Sequence, residues 1–162
     1  MIIIGYQGIG KSTYCAKEVQ AIDLESSYFR DFQNNRPDCW AELYVKTAIN
    51  LSGQGYDVFV SSHKEVREAL VACSCVSFYK GFKFCAIVPS IGLKYDWIQR
   101  LQYRYDALPS SKNLAALENA KDRFEENIKE IADDIPDTFY IVDHPDKYDV
   151  FKFMEKIKAI MR

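Results

Sequence analysis

Residues Gly5-Tyr6-Gln7-Gly8-Ile9-Gly10-Lys11-Ser12 fit the spacing G-x-x-x-x-G-K-[ST]. Glycines at those places let successive backbone N–H groups turn inward around an anion without side-chain interference. A helix opening at Lys11 aims its positive end at the same point. Lys11 supplies a cation for the β- and γ-phosphates of a nucleoside triphosphate, and the Ser12 hydroxyl can ligate Mg²⁺. Gly5, Gln7, Gly8, Ile9, Gly10, Lys11, Ser12 and Thr13 are therefore the expected phosphate contacts. The apolar run 2–4 precedes the loop and a helical pattern follows it, which is the context this chemistry requires.

Other residues able to do chemistry stand at the ends of apolar runs. Asp23 and Glu25 follow the second run, and a period of two places both on one side of an extended segment. Ser61, Ser62 and His63 follow the third. Arg100 and Arg104 lie four apart on one helix face, with Trp97 leading the stripe. Asp143 and His144 follow the fifth run, and Asp146 or Asp149 can cap the helix beyond. Arg30 and Arg36 sit in the polar stretch 26–37.

The elements that must hold these residues alternate. Strands are expected at 2–4, 21–24, 57–62, 82–88 (ended by Pro89) and 138–143. Helices are expected from Lys11 to about residue 20, and then from an N-cap at Asp38. The second carries Trp40, Leu43, Tyr44, Thr47, Ala48 and Leu51 at helical spacing and stops at Gly53 and Gly55. A capping box, Ser62-x-x-Glu65, opens a third helix through about residue 73. A fourth runs over about 93–105, and Pro109 separates it from a longer one reaching about residue 134. Leu114, Leu117, Phe124, Ile128 and Ile131 form the apolar stripe of that longer helix, and Val150, Phe151, Met154, Ile157 and Ile160 mark the last. Strand–helix alternation makes the class α/β with a mainly parallel sheet.

The chain has 162 residues, is 48% hydrophobic and carries a formal net charge of −2. One domain, 1–162, is expected, with no linker or internal repeat. The charge gives no electrostatic case for a nucleic-acid partner. The opening apolar run is too short to span a membrane and has no basic flank, so a cytoplasmic location is expected. Cys15, Cys39, Cys73, Cys75 and Cys85 lack paired metal-ligand spacing and read as reduced, mostly buried thiols.

Neither D-x-x-G nor N-K-x-D occurs, so the signals of a GTPase are absent. The whole chain resembles, in element order, the small P-loop kinases: nucleoside and nucleotide kinases, shikimate-kinase-like enzymes and related phage proteins. The phosphate loop is the specific part of that resemblance. It implies a P-loop NTPase three-layer sandwich, with a five-stranded parallel sheet in the order 2-3-1-4-5 and helices on both faces. It implies ATP as donor, Mg²⁺ as cofactor and a small-molecule acceptor, a nucleoside or nucleotide first of all. Asp23 then contacts Mg²⁺ or takes the acceptor's proton, with Glu25 beside it. A lid over about 91–112 carries Arg100 and Arg104 onto the transferring group. Arg30 and Arg36 become candidates to grip an acceptor phosphate, with surface charge as the alternative, His63 a candidate acceptor ligand, with a solvated first-turn residue as the alternative, and Asp143 and His144 candidates for the donor base. The sequence departs from the family at the end of the third strand, where serines replace an aspartate common in nucleotide kinases. Three other readings stay open: a kinase of a non-nucleotide alcohol, a nucleotide-binding regulatory or interaction protein with little turnover, and, against the net charge, phosphorylation of nucleic-acid 5′ ends. Oligomeric state is not legible.

Overall fold

Ile2, Ile3 and Ile4 are all fully buried, as a strand covered on both faces requires. They form β1 (Ile2–Gly5) at the centre of a five-stranded sheet. The structure is a computed structural model that describes residues 1–76, 81–144 and 148–161. The other strands are β2 (Ala21–Asp23), β3 (Asp57–Val60), β4 (Phe84–Pro89) and β5 (Phe139–Val142). Their order is β2-β3-β1-β4-β5, and every pairing is parallel. Parallel pairing needs crossovers, and six helices supply them: α1 (Lys11–Cys15), α2 (Trp40–Gly53), α3 (Lys64–Ser74), α4 (Lys94–Ala107), α5 (Ser111–Asp134) and α6 (Val150–Met161). The α1 helix packs with α6, while α2, α3 and α5 pack in series and α4 lies on α5. The architecture is thus the expected α/β sandwich, with helices on both faces and strand order 2-3-1-4-5.

The core is one cluster on either side of the sheet. On one side Tyr14 of α1 meets Phe59 and Phe151 at ring separations of 5.5 and 5.2 Å. On the other, Tyr6 packs edge-on against Phe124 of α5 at 5.7 Å. Parallel strands carry their carboxyl ends to one edge. That edge therefore gathers Gly5, Asp23 and Ser61, the residues that end or follow the three neighbouring strands β1, β2 and β3.

Several local expectations are corrected. The first helix ends at Cys15, about a turn early. Lys17 and Glu18 both donate backbone N–H to the Tyr14 carbonyl, and Ala21 donates to Glu18, which turns the chain into β2. Asp38 does not cap α2. Cys39 stands at its N-cap without a side-chain bond, and the Trp40 amide bonds Pro37 instead. The capping box at Ser62 does not form, because His63 is the N-cap of α3 and makes no side-chain bond to it. Ser110, by contrast, caps α5 by accepting from the Asn113 amide at 3.1 Å. Leu43, Leu114 and Ile160 are exposed at the margins of their stripes. All five cysteines are free, but only Cys73 and Cys85 are buried, and Cys39 and Cys75 are exposed. Asp149 caps α6 by accepting from the Phe151 amide at 2.9 Å. Asp146 lies outside the described residues. Among the described residues no helix is long and apolar enough to cross a membrane.

Candidate functional site

The loop between β1 and α1 turns at Gly8 and Gly10, whose φ angles of 85° and 87° are left-handed and suit glycine. Gly10 is the N-cap of α1. A Cβ on Gly5 would lie 2.7 Å from Lys11 Cδ, so the absence of a side chain there clears the path of the lysine. Lys11 folds back over the loop, and its Nζ donates to the Gly5 carbonyl at 2.9 Å. Burial lowers the pKa of Lys11, and the nearby Asp23 and Glu25 carboxylates offset part of that. A cation is thus drawn out of water with a neutral carbonyl as its one hydrogen-bond partner among the described residues.

The loop is held from outside, on its carbonyl oxygens. Trp97 Nε1 donates to Gln7 O at 2.8 Å, Arg100 Nε to Gly8 O at 2.9 Å, and Tyr148 Oη to Ile9 O at 2.7 Å. Three consecutive carbonyls are therefore pinned by side chains of α4 and of the segment before α6. Gln7 also reaches α5, donating from Nε2 to Ala116 O at 2.8 Å. Trp97 is fully buried and Leu101 nearly so, which fixes α4 against the loop. The Arg100 guanidinium lies 5.4 Å from the Trp97 ring and 5.8 Å from that of Tyr148. Arg104 is one turn farther along, exposed, and lines the same cleft.

Asp23 sits at the end of β2, next to the loop. Its Oδ2 accepts from Ser12 Oγ at 2.7 Å, so the two oxygen ligands expected for a metal are already paired. Glu25 forms an ion pair with Lys112 at the start of α5. Tyr44 of α2 braces the neighbouring strand ends: its hydroxyl donates to Leu24 O at 2.6 Å and accepts from the Ser61 amide at 2.9 Å.

A second cluster stands at the end of β3. The Arg36 guanidinium carbon lies 4.1 Å from the centre of the Trp40 ring. Arg36 Nη2 is 3.1 Å from His63 Nε2 and 3.3 Å from Ser26 Oγ. An arginine nitrogen can only donate, so His63 Nε2 accepts and its proton resides on Nδ1. Burial lowers the His63 pKa, and the Arg36 charge lowers it further. Arg67 of α3, 3% exposed, bonds Asp134 at 2.6 Å and the Ser62 carbonyl at 2.5 Å, tying the strand end to α5.

These groups face one cleft of about 1380 Å³. Gly5, Gln7, Gly8, Gly10, Lys11, Ser12, Thr13, Asp23, Glu25, Arg30, Arg36, Ser61, Ser62, His63, Arg100 and Arg104 all line it. Ile9 does not; it is fully buried beneath the loop. Asp143 and His144 are exposed and do not line it. Nine lysines and arginines line the cleft against four acids, in a chain whose net charge is −2. The sequence reading missed Arg67 and Tyr148 and read Trp40 and Tyr44 only as part of a helical stripe; the importance of all four lies in contacts between distant segments. Trp97 was noted only as the head of a stripe, although a buried tryptophan needs an acceptor for its N–H and so points to a partner. Fold and cleft define a three-layer α/β protein with a glycine-rich loop and a cationic cleft at the carboxyl edge of its parallel sheet. No protein-family model and no curated protein matches the chain.

Proposed function

We propose that this chain is a cytoplasmic phosphotransferase that moves the γ-phosphoryl group of ATP to a nucleoside or nucleotide acceptor. The observation that carries the reading is Lys11, half-buried beside the glycine-rich loop, with the Gly5 carbonyl as its one hydrogen-bond partner among the described residues. Holding a cation there is costly unless an anion arrives, and the outer phosphates of a triphosphate meet that need. The outward hold on the carbonyls of residues 7–9 supports it, since the loop's rim is occupied and its inner side is left to the ligand.

Ser12 and Asp23 would hold Mg²⁺. Their oxygens lie 2.7 Å apart, and among the described residues no three His, Cys, Asp or Glu side chains gather into a cage. One hydroxyl and one carboxylate are the sparse oxygen set that Mg²⁺ takes when phosphates complete its shell. Bound there, the ion neutralises charge on the outer phosphates. In the transfer an acceptor oxygen bonds to the γ phosphorus while the bond to the β–γ bridging oxygen breaks. ADP leaves, and the proton of a hydroxyl acceptor passes to Asp23 or to water. Arg104, and the terminal nitrogens of Arg100, are the cations available to the transferring oxygens.

The serines after β3 favour a second reading, a nucleotide-binding regulatory protein with little turnover. A radiolabelled γ-phosphate transfer screen over nucleosides, nucleoside monophosphates and small alcohols separates the two. Lys11→Ala tests both, because it removes the fixed cation. MgATP should raise the melting temperature of the wild type and not that of the mutant. A mutant stabilised equally, with equal transfer, would sink the assignment.

A further inference from the structure

We propose that the wall of the cleft formed by α5 reads the hydrogen-bonding edge of the acceptor's heterocyclic base, through the Asn119 and Asn127 carboxamides and the Tyr6 hydroxyl. The inference rests on the phosphotransfer reading and adds the residues that select the second substrate. Asn119 and Asn127 are eight residues apart, a rise of about 12 Å in a straight helix, too far for two short side chains to meet. Asn127 Nδ2 nevertheless donates to Asn119 Oδ1 at 3.2 Å. They meet because α5 bends between them at Arg123, whose φ of −130° and ψ of 24° are not helical. No proline or glycine stands there to break the helix. The side-chain bonds that span the bend are those of Asn119 with Asn127 and of Arg123 with Glu126 and Glu130. Asn119, Arg123 and Asn127 all line the cleft, so the bend brings two amides together on its wall.

Two amides joined by one hydrogen bond leave one carbonyl and one NH₂ group uncommitted, whichever way the pair is turned. Here these are Asn127 Oδ1 and Asn119 Nδ2. An independent observation points to the same place. Tyr6 is 1% exposed, and its hydroxyl has no hydrogen-bond partner among the described residues. Burial raises its pKa, and the Asn127 and Gln7 side chains close to it lower it. A buried hydroxyl without a partner costs stability unless a ligand supplies one, and Tyr6 lines the same cleft. Arg123, the cation between the two amides, is neutralised by Glu126 and Glu130, so this stretch of wall calls for an uncharged group. Ala115 and Ala116, one turn before Asn119, also line the cleft, with side chains small enough to leave room for a flat ring. A ring that presents an N–H beside an acceptor meets the Asn127 carbonyl and the Asn119 amide together, as a carboxamide meets the edge of a base. A phosphate, which offers acceptors, would leave the Asn127 carbonyl facing another oxygen.

The test uses the full chain with MgADP filling the loop. The four ribonucleosides, methyl riboside and, for the nucleoside bound best, an analogue methylated on its hydrogen-bonding edge are titrated by calorimetry into wild type, Tyr6→Phe and Asn119→Ala. At least one nucleoside should bind the wild type, with methyl riboside and the methylated analogue each weaker by about tenfold or more. Tyr6→Phe should weaken that nucleoside by about three- to tenfold and Asn119→Ala by about tenfold, while MgADP affinity is kept. Neither variant should lose melting temperature. Tyr6→Phe removes a hydroxyl that bonds nothing in the free chain, and alanine favours the helix at the exposed Asn119. A merely structural role would give the reverse, lower melting temperatures with nucleoside affinity unchanged, and that result would overturn the proposal. So would the absence of nucleoside binding beside intact MgADP binding, or a methylated analogue bound as tightly as its parent. If MgADP itself does not bind, the phosphotransfer reading fails instead, and the same nucleoside titrations without nucleotide still read the α5 wall.

Discussion

Replacing Arg100 by alanine separates two roles that its position combines. Its Nε holds the Gly8 carbonyl at 2.9 Å, and the residue also lines the cleft. A hydrogen bond from a charged donor contributes about 1.5–3 kcal/mol in mutational series. Arg100 is exposed and water competes for the carbonyl, so about 1–1.5 kcal/mol is the reasonable share. Trp97 and Tyr148 would continue to hold Gln7 and Ile9, so the loop as a whole would survive. Only the Gly8 peptide would be freed to turn, at a residue whose lack of a Cβ makes turning easy. Each turned peptide presents a carbonyl where a phosphate needs an amide.

The expected result is about tenfold weaker MgATP binding, since about 1.4 kcal/mol corresponds to tenfold. The melting temperature should move by a few degrees at most. Tyr148→Phe removes a neutral hydrogen bond of about 0.5–1.5 kcal/mol and should cost about threefold. Calorimetric titration with MgATP, beside thermal melts of the free proteins, gives both quantities. The reasoning fails if Arg100→Ala binds MgATP like the wild type. It fails equally if affinity is kept while turnover falls a hundredfold, because Arg100 would then act on the transferring group alone. Arg104, with no hydrogen bond or ion pair among the described residues, should show that opposite pattern when changed to alanine: lower kcat with nucleotide affinity nearly kept.

Asp23→Asn keeps shape but removes charge, and turnover should fall by about a hundredfold or more with little change in ATP affinity; unchanged turnover would remove Asp23 from the chemistry. Arg67→Met should destabilise the fold by about 1–3 kcal/mol, because the Ser62 carbonyl, Asp134 and Glu130 lose a charged donor while the two carboxylates, about a third exposed, can turn to water, and urea unfolding would show it as a lower midpoint; an unchanged midpoint would make the pairing incidental. His63 has a folded pKa below its unfolded value, through burial and Arg36, with Lys11 and Arg67 adding to the effect and Glu65 opposing it. The unfolded chain therefore binds this proton first as pH falls, so stability from this group is present above about pH 6.5 and is lost below it. The wild type should lose more melting temperature than His63→Gln between pH 7.5 and 5.5, and equal losses would refute the assignment.

The sheet was legible because its signals are local. Short apolar runs, Ile2–Ile4, Val58–Val60, Phe84–Val88 and Phe139–Val142, mark four of the strands, and the two residues before Asp23 mark the fifth, in a chain of alternating helices. The turn between β1 and α1 was legible for the same reason, since Gly8 and Gly10, which take left-handed φ angles, stand within a few consecutive residues. Helix starts were less so. Asp38 and Ser62 have the side chains of N-caps but lack the geometry, because a Pro37 turn and the Arg67 bond to Ser62 O direct the backbone there. The wall of the cleft was least legible. Trp97 lies 90 residues from Gln7, Tyr148 lies 139 from Ile9, and Arg67 lies 67 from Asp134. Nothing in the spacing of those residues announces the pairing, which exists only once the sheet brings their elements to one edge.

Charge is unevenly distributed around that edge, with the Asp23 and Glu25 carboxylates both acting on Lys11 from the β2 side. Here the β3 end instead presents Ser61, whose amide is held by the Tyr44 hydroxyl, and His63, kept neutral beside Arg36. Negative charge at the loop is confined to β2 and its continuation, where Asp23 is engaged by Ser12 and Glu25 by Lys112. The β3 end thus carries a cation, Arg36, where the β2 end carries a carboxylate, Asp23.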